Sequence, residues 1–201
     1  MESIYTRYKS EYAHSPDSAI KFYKENRLLF NNINRFSNQQ ELLLFMEVYY
    51  QCENAFVIRK QYRNALSALR SLPAIERAMD EFGIDRSKYQ FYKQIIFQKA
   101  CSLYYLRDVN QAMRLFSQLH EYEPENDVLK NWVENCRLRK ISRLVYIPLF
   151  AATVSMLLQI VYKRPEYVQL HQVLSMVVYA SVVAGIGVLM YIQRKSNRKL
   201  T

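Results

Sequence analysis

The sequence has few residues that turn or break a chain. Its 201 residues include three glycines and five prolines, and Gly83 is the only glycine before residue 185. A β-sandwich or β-barrel needs glycine or proline at short, regular intervals to turn from one strand into the next. The scarcity of both residues therefore argues against an all-β chain and predicts an all-α fold.

Cysteine is also scarce. Cys52, Cys101 and Cys136 are far apart and odd in number, so they match neither a disulfide framework nor the ligand spacing of a metal site. We expect three reduced thiols in the core of a domain that faces the cytosol. We expect no metal and no other cofactor.

Acidic residues are nearly absent from the last third of the chain. Residues 1–136 contain 18 Lys and Arg against 17 Asp and Glu, whereas residues 137–201 contain ten against one. Binding to nucleic acid through counterion release needs clustered basic side chains. Because the larger part of the chain is almost neutral, we expect no nucleic-acid partner, and the net charge of +10 belongs to the C-terminal third.

That third contains two long uncharged runs, residues 144–162 and 173–192, of 19 and 20 residues. About 20 apolar residues are needed for a helix to cross the hydrocarbon core of a bilayer. The runs predict a two-span transmembrane hairpin at 144–192, after a cytoplasmic helical-repeat domain at 1–136 and a basic juxtamembrane helix at 137–143. A basic tail at 193–201 completes the predicted organisation.

Basic residues are concentrated at the two outer ends of the hairpin, and the loop between the runs has only Lys163 and Arg164. Since positively charged flanks stay on the cytoplasmic side, we predict an integral membrane protein with both termini in the cytoplasm. We also expect contacts with anionic lipid of the inner leaflet through Arg137, Arg139, Lys140, Arg143, Arg194 and Lys195. The outer flank of the second run also includes Arg198 and Lys199.

Small residues recur at one-turn spacing in both runs, at Ala151, Ser155, Ala180, Ser181, Ala184 and Gly185. Small side chains let helix backbones approach closely in lipid. The first interpretation is that the two spans pack on each other. The second is that the same faces assemble a homo-oligomer, including one around a pore, although Gln159 is the only strongly polar side chain in either run.

The first 136 residues are punctuated by helix signals. Ser15 before Pro16 marks a helix start, and we expect helices at 17–30, 41–59, 62–82, 85–106, 108–123 and 126–143. Ser37 and Gln40 form an expected capping box for the second of these helices. Pro73 predicts a kink in the third, or a separate helix capped by Ser71, and Asp108 is the expected cap of the fifth.

Three of these helices carry a similar local pattern. Ala19, Ala65 and Ala112 stand 46 and 47 residues apart, each followed four residues later by a bulky apolar side chain. This helix-turn-helix spacing resembles the tetratricopeptide repeat, with the best match at Ala100, Ala112, Phe116 and Pro124. An irregular helical bundle with coincidental alanines remains the alternative.

The resemblance implies a scaffold of stacked antiparallel helix pairs whose concave surface binds a peptide or a protein, without catalysis. The positions that would line this surface are Tyr50, Asn54, Phe97, Cys101, Tyr104 and Tyr105. The chain is therefore predicted to be a membrane-anchored helical-repeat adaptor. The alternative is a pore or other oligomeric effector assembled through the hairpin.

Enzymatic activity is not expected. The sequence contains no glycine-rich phosphate loop and no Ser/His/Asp arrangement. Arg114 and His120 alone fit a catalytic pattern, the loose Arg–His spacing of HEPN-type ribonucleases, which leaves a membrane-associated ribonuclease accessory as a third hypothesis.

Overall fold

The computed structural model describes residues 2–144, 146–161 and 168–197, and within these ranges the protein is all-α with no strand. The chain divides into two compact units, Met1–Val133 and Glu134–Thr201. The expectations that concern Lys163, Arg164, Arg198 and Lys199 lie outside the described residues.

The first unit is built from short and medium helices joined by tight connections. In chain order they are α1 (Glu2–Arg7), a π-helical turn (Tyr8–Tyr12), α2 (Pro16–Glu25), α3 (Arg27–Asn32), α4 (Gln39–Ile58), α5 (Tyr62–Ala68), a 3-10 turn (Leu69–Ser71), α6 (Leu72–Glu81), α7 (Gln90–Tyr105) and α8 (Val109–Tyr122). The next helix, α9 (Asp127–Leu144), begins in this unit and ends in the second.

Two of the expected helix caps are present. The Ser15 hydroxyl accepts a hydrogen bond from the Ser18 amide at 3.1 Å, and the Asp108 carboxylate accepts one from the Gln111 amide at 3.2 Å. Each satisfies a backbone donor that the first turn of a helix leaves free.

The expected capping box at Ser37 and Gln40 is wrong by one residue. Asn38 is the cap, with its side-chain oxygen 2.8 Å from the Glu41 amide, and the Glu41 carboxylate accepts from the Ser37 amide at 2.6 Å. Asparagine and serine cap helices about equally well, so the two adjacent candidates could not be separated from their types alone.

Helix breaks differ from the expectations at two places. The helix expected at 17–30 is divided because the Asn26 side chain donates to the Phe22 carbonyl at 2.9 Å and competes with the helical ladder. The helix expected from 85 begins only at Gln90, since Asp85 accepts from the Ser87 amide and hydroxyl and holds a turn instead.

The segment expected at 62–82 takes the second of its two predicted forms. A 3-10 turn separates α5 from α6, and Pro73 lies in the first turn of α6, where its missing N–H costs nothing. Ser71 does not cap this helix with its side chain, because its hydroxyl donates to the Phe30 carbonyl.

Helix α4 is the centre of the first unit and packs against α1, α2, α5, α6 and α7, while α7 also packs against α5 and α8. Large rings fill the space between these helices, with Phe45 and Tyr49 stacked at 5.3 Å. The Tyr49 hydroxyl donates to the Ala68 carbonyl at 2.6 Å. The three regularly spaced alanines are all buried, so the positions that drew attention in the sequence lie at close helix contacts.

The second unit contains α10 (Tyr146–Val161) and α11 (Val168–Asn197), which pack against each other. Apolar windows within Asp127–Ile160 and Gln172–Tyr191 have mean hydropathies of 1.7 and 2.3, and only 13% and 6% of them are buried. Core helices of soluble proteins bury most of such a surface. The described chain therefore has two helices that are long and apolar enough to cross a membrane.

Candidate partner-binding surface

Four of the expected partner-binding residues lie on α7, on the side near the start of α9. Cys101 is buried, Phe97 and Tyr104 are half-buried, and Tyr105 is 48% exposed. The two tyrosines are adjacent in sequence and their rings stand edge to face at 5.6 Å. The helix thus brings together an aromatic cluster, as the sequence spacing predicts.

The sequence reasoning did not assign a role to Trp132 of α9, which lies against this cluster. Its ring stacks on Phe116 of α8 at 5.0 Å and stands edge to face with Tyr104 at 5.2 Å and with Phe97 at 6.2 Å. A residue four turns or more from α7 in sequence carries no local signal of this contact. The aromatic rings of α7 therefore also support the packing of α9, and Tyr104 has a structural role as well as any binding role.

Next to the cluster, a groove of about 250 Å³ lies between α7 and the chain that joins α8 to α9. We call it the α7–α9 groove. It is lined by Gln90, Lys93, Gln94, Phe97, Leu119, Glu123, Asn126, Val128 and Leu129. Its volume is below the range of about 300–1,000 Å³ that holds cofactors and drug-sized ligands, so it suits one or two side chains of a peptide.

One end of the groove is polar and internally paired. Lys93 forms an ion pair with Glu123, and the Asn126 amide donates to the second Glu123 oxygen at 2.8 Å. The hydrogen bonds from Lys93 and Asn126 lower the pKa of the Glu123 carboxyl. Because the two charges neutralise each other, this end is rigid and polar without favouring a charged ligand.

One polar atom in the groove has no partner. The side-chain oxygen of Gln94 is buried and accepts no hydrogen bond, which is an unfavourable state for a carbonyl group. Phe97 and Leu129 provide apolar walls, and Val128 at the rim is 58% exposed. An apolar side chain in the groove, with its backbone N–H directed to Gln94, would satisfy both features.

The two remaining expected residues, Tyr50 and Asn54, lie on α4 beside α7. The Asn54 oxygen accepts from the Gln98 amide at 2.9 Å, and the Tyr50 ring lies 6.0 Å from Phe91. Asn54 also lines a smaller cavity of about 180 Å³ between α4 and the N-terminal turn, together with Tyr8, Ala13, His14, Ser15, Pro16, Ala19, Gln51, Ala55 and Ile58. These residues contact α7 but do not line the α7–α9 groove.

An unexpected feature of α4 is a fully buried carboxyl group. Glu53 is 1% exposed and neither side-chain oxygen has a hydrogen-bond partner. Burial raises the pKa of Glu53 well above its ordinary value, and the positive charge of Lys99 on α7 opposes this in part. The available signal was one glutamate on a helix face otherwise made of Met46, Tyr49 and Phe56.

The enzyme-like pair does not converge. Arg114 is exposed and His120 is half-buried on the same regular helix α8, about 9 Å apart along its axis and on different sides of it. The three cysteines are free and buried. Within the described residues, no group of His, Cys, Asp or Glu side chains is arranged to hold a metal ion.

In the second unit, the Gln159 amide of α10 donates to the Ser175 hydroxyl of α11 at 3.0 Å. Of the small residues expected at helix contacts, Ser155 is buried, and Ala151, Ser181 and Gly185 are half-buried. Ala180 and Ala184 are exposed on α11.

Comparisons with protein-family models, with curated proteins and with solved structures found no match to this chain. Functional inference therefore depends on the residues and their geometry.

Proposed function

We propose that this protein is a membrane-anchored helical adaptor whose first unit binds a segment of a protein partner at the cytoplasmic face of a membrane. The helix pairs α4 with α5–α6 and α7 with α8 would act as units of the tetratricopeptide type, and α9 would close the stack. The α10–α11 hairpin would be the anchor, with both termini in the cytoplasm.

The α7–α9 groove carries this proposal. It combines apolar walls at Phe97 and Leu129, an exposed apolar rim at Val128, and the buried Gln94 oxygen that lacks a donor. A peptide segment supplies both an apolar side chain and a backbone N–H. The small volume and the neutral Lys93–Glu123 pair favour an uncharged peptide segment over a nucleotide or a metal ion.

The hairpin supports an anchoring role because its polar side chains are used internally. Gln159 and Ser175 bond to each other across α10 and α11. Hydrogen bonds of this kind hold transmembrane helices together. A polar pore would need such groups to face a channel instead.

A pore or effector assembled from several hairpins is the second candidate, and one observation favours it. Ala180 and Ala184 are one turn apart and both exposed on α11. Small residues at that spacing allow another helix to approach closely. The hairpin would then be the active part of the protein, and the first unit would regulate it.

Photo-crosslinking in native membranes tests the adaptor proposal. A photoreactive side chain is placed at Val128 on the rim of the groove, and in a matched control at Leu28, which is 77% exposed on α3. We expect a discrete adduct from position 128 and none from position 28. Gln94→Leu should lower the adduct yield about fivefold to tenfold, the value of one hydrogen bond of about 1–1.4 kcal/mol.

Equal adducts from both positions would indicate nonspecific proximity and contradict the proposal. So would an adduct at position 128 that Gln94→Leu leaves unchanged. Trp132 is the only tryptophan in the chain, and its unaltered emission spectrum in the variants verifies that α7, α8 and α9 remain packed.

A further inference from the structure

Helix α9 changes its charge along its length. Its first half contains Asp127 and Glu134, whereas its last eight residues contain four basic residues and no acid. Arg137 and Lys140 are exposed, and Glu134 lies 3.5 Å from Arg137 with 59% of the arginine side chain still accessible. The described α9 ends at Leu144, one residue before α10 begins.

The four basic residues occupy one side of the helix. At about 100° per residue, positions 137, 140, 143 and 139 fall within an arc of about 160°. Leu138 and Ile141 lie on the opposite side and are half-buried. This separation adds to the sequence expectation, because the positive charges form one surface instead of a ring around the helix.

The depth of this surface matches the headgroup layer of a bilayer. At about 1.5 Å per residue, the four positions lie about 1.5 to 10.5 Å along the axis before Leu144. The polar layer on each side of a bilayer is about 5–8 Å thick, and electrostatic attraction extends about 10 Å further at moderate salt. All four charges are therefore within reach of lipid phosphates when the hairpin spans the membrane.

We propose that this side of α9, the surface of Arg137, Arg139, Lys140 and Arg143, selectively binds the headgroups of anionic phospholipids. The inference depends on the anchoring part of the proposed function and not on partner binding. A surface without acids, next to an apolar helix, meets lipid phosphates at a far higher local concentration than any soluble phosphate compound. Each basic residue near an anionic surface contributes attraction of the order that lipid selectivity requires.

Lipid selectivity can be measured on the full-length protein in bilayers of phosphatidylcholine that contain trace spin-labelled lipid. Labelled phosphatidylglycerol and labelled phosphatidylcholine are compared by the fraction that the protein immobilises. At about 50 mM salt we expect phosphatidylglycerol to be preferred about fivefold, which corresponds to about 1 kcal/mol, the value of one basic residue at the surface. The preference should approach one near 1 M salt, where the screening length falls to about 3 Å.

Two variants with the same change in net charge separate local from general electrostatics. The first replaces Arg137, Arg139, Lys140 and Arg143 by Gln and should reduce the preference to less than twofold. The control replaces four exposed lysines of the first unit by Gln and should keep the full preference: Lys21, Lys24, Lys60 and Lys88.

A wild-type preference near one at low salt overturns the proposal, as does an equal loss in both variants. If wild-type protein immobilises neither lipid, the hairpin does not span the bilayer, and both this inference and the anchoring proposal fail. If it immobilises both lipids equally, only this inference fails. Should the first variant not insert, the wild-type salt dependence decides between these outcomes.

Discussion

Replacing Glu53 by Gln should make the stability of the first unit less dependent on pH. The wild-type carboxyl is 1% exposed, has no hydrogen-bond partner, and has a pKa raised well above its ordinary value by burial. The folded protein therefore keeps a proton that the unfolded chain releases above about pH 4.3. Glutamine has nearly the same shape and does not titrate in this range.

The sign and the size follow from linkage. Between the ordinary carboxyl pKa and the raised one, the folded state binds more protons, so wild-type stability is complete at low pH and decreases as the pH rises. The loss is about 1.4 kcal/mol per pH unit and stops when the pH passes the raised pKa of the folded protein. Between pH 5 and pH 7, the advantage of Glu53→Gln over wild type should grow by up to about 2.6 kcal/mol.

Trp132 provides the assay, because it is the only tryptophan and is packed among the rings of α7 and α8. Urea unfolding of the full-length protein in mild detergent, followed by tryptophan emission from pH 5 to pH 8, reports the first unit without contribution from the hairpin. Glu81→Gln, which alters an exposed carboxyl at the end of α6, is the matched control. It should follow the wild-type pH dependence.

A constant difference between Glu53→Gln and wild type across this range would refute the reasoning. It would mean that the carboxylate is ionised in the folded protein, with Lys99 of α7 as its counter-ion. In that case Lys99→Met should destabilise the protein strongly, because it would leave a buried charge unpaired.

Three further predictions concern packing and topology. Ala112 is fully buried in α8, so Ala112→Leu should overpack its contact and lower the free energy of unfolding by about 1–3 kcal/mol, as measured by Trp132 emission in urea; an unchanged midpoint would contradict the close contact. Tyr49→Phe removes the 2.6 Å bond to the Ala68 carbonyl and should cost about 0.5–1.5 kcal/mol in the same assay. Protease added to sealed inside-out vesicles, whose outer face is cytoplasmic, should digest the first unit and spare the hairpin; protection of the first unit would reverse the proposed orientation.

Features determined by neighbouring residues could be predicted from the sequence. The caps at Ser15 and Asp108 depend on one side chain and an amide three residues away. The all-α fold follows from the scarcity of glycine and from helical periodicity, and the two apolar helices follow from length and composition. The break at Asn26 was missed because asparagine is compatible with both a helix and a cap.

Features that depend on distant parts of the chain could not be predicted. Trp132 contacts α7 from a helix that begins more than 20 residues later. The α7–α9 groove was predicted only through Phe97, because its other lining residues come from the end of α8 and the start of α9. Glu53 was noted as a departure from the repeat pattern, yet its isolation from any hydrogen-bond partner depends on how α4 and α7 pack.

The most direct test of the adaptor account exchanges the hairpin. Residues 144–192 are replaced by an unrelated two-span hairpin of equal length, and the crosslinking at position 128 is repeated in native membranes. If the first unit is a binding adaptor and the hairpin an anchor, the same adduct should form with similar yield and the same sensitivity to Gln94→Leu. Loss of the adduct, with the chimera still inserted and its Trp132 emission unchanged, would contradict the account and assign partner binding to the hairpin itself.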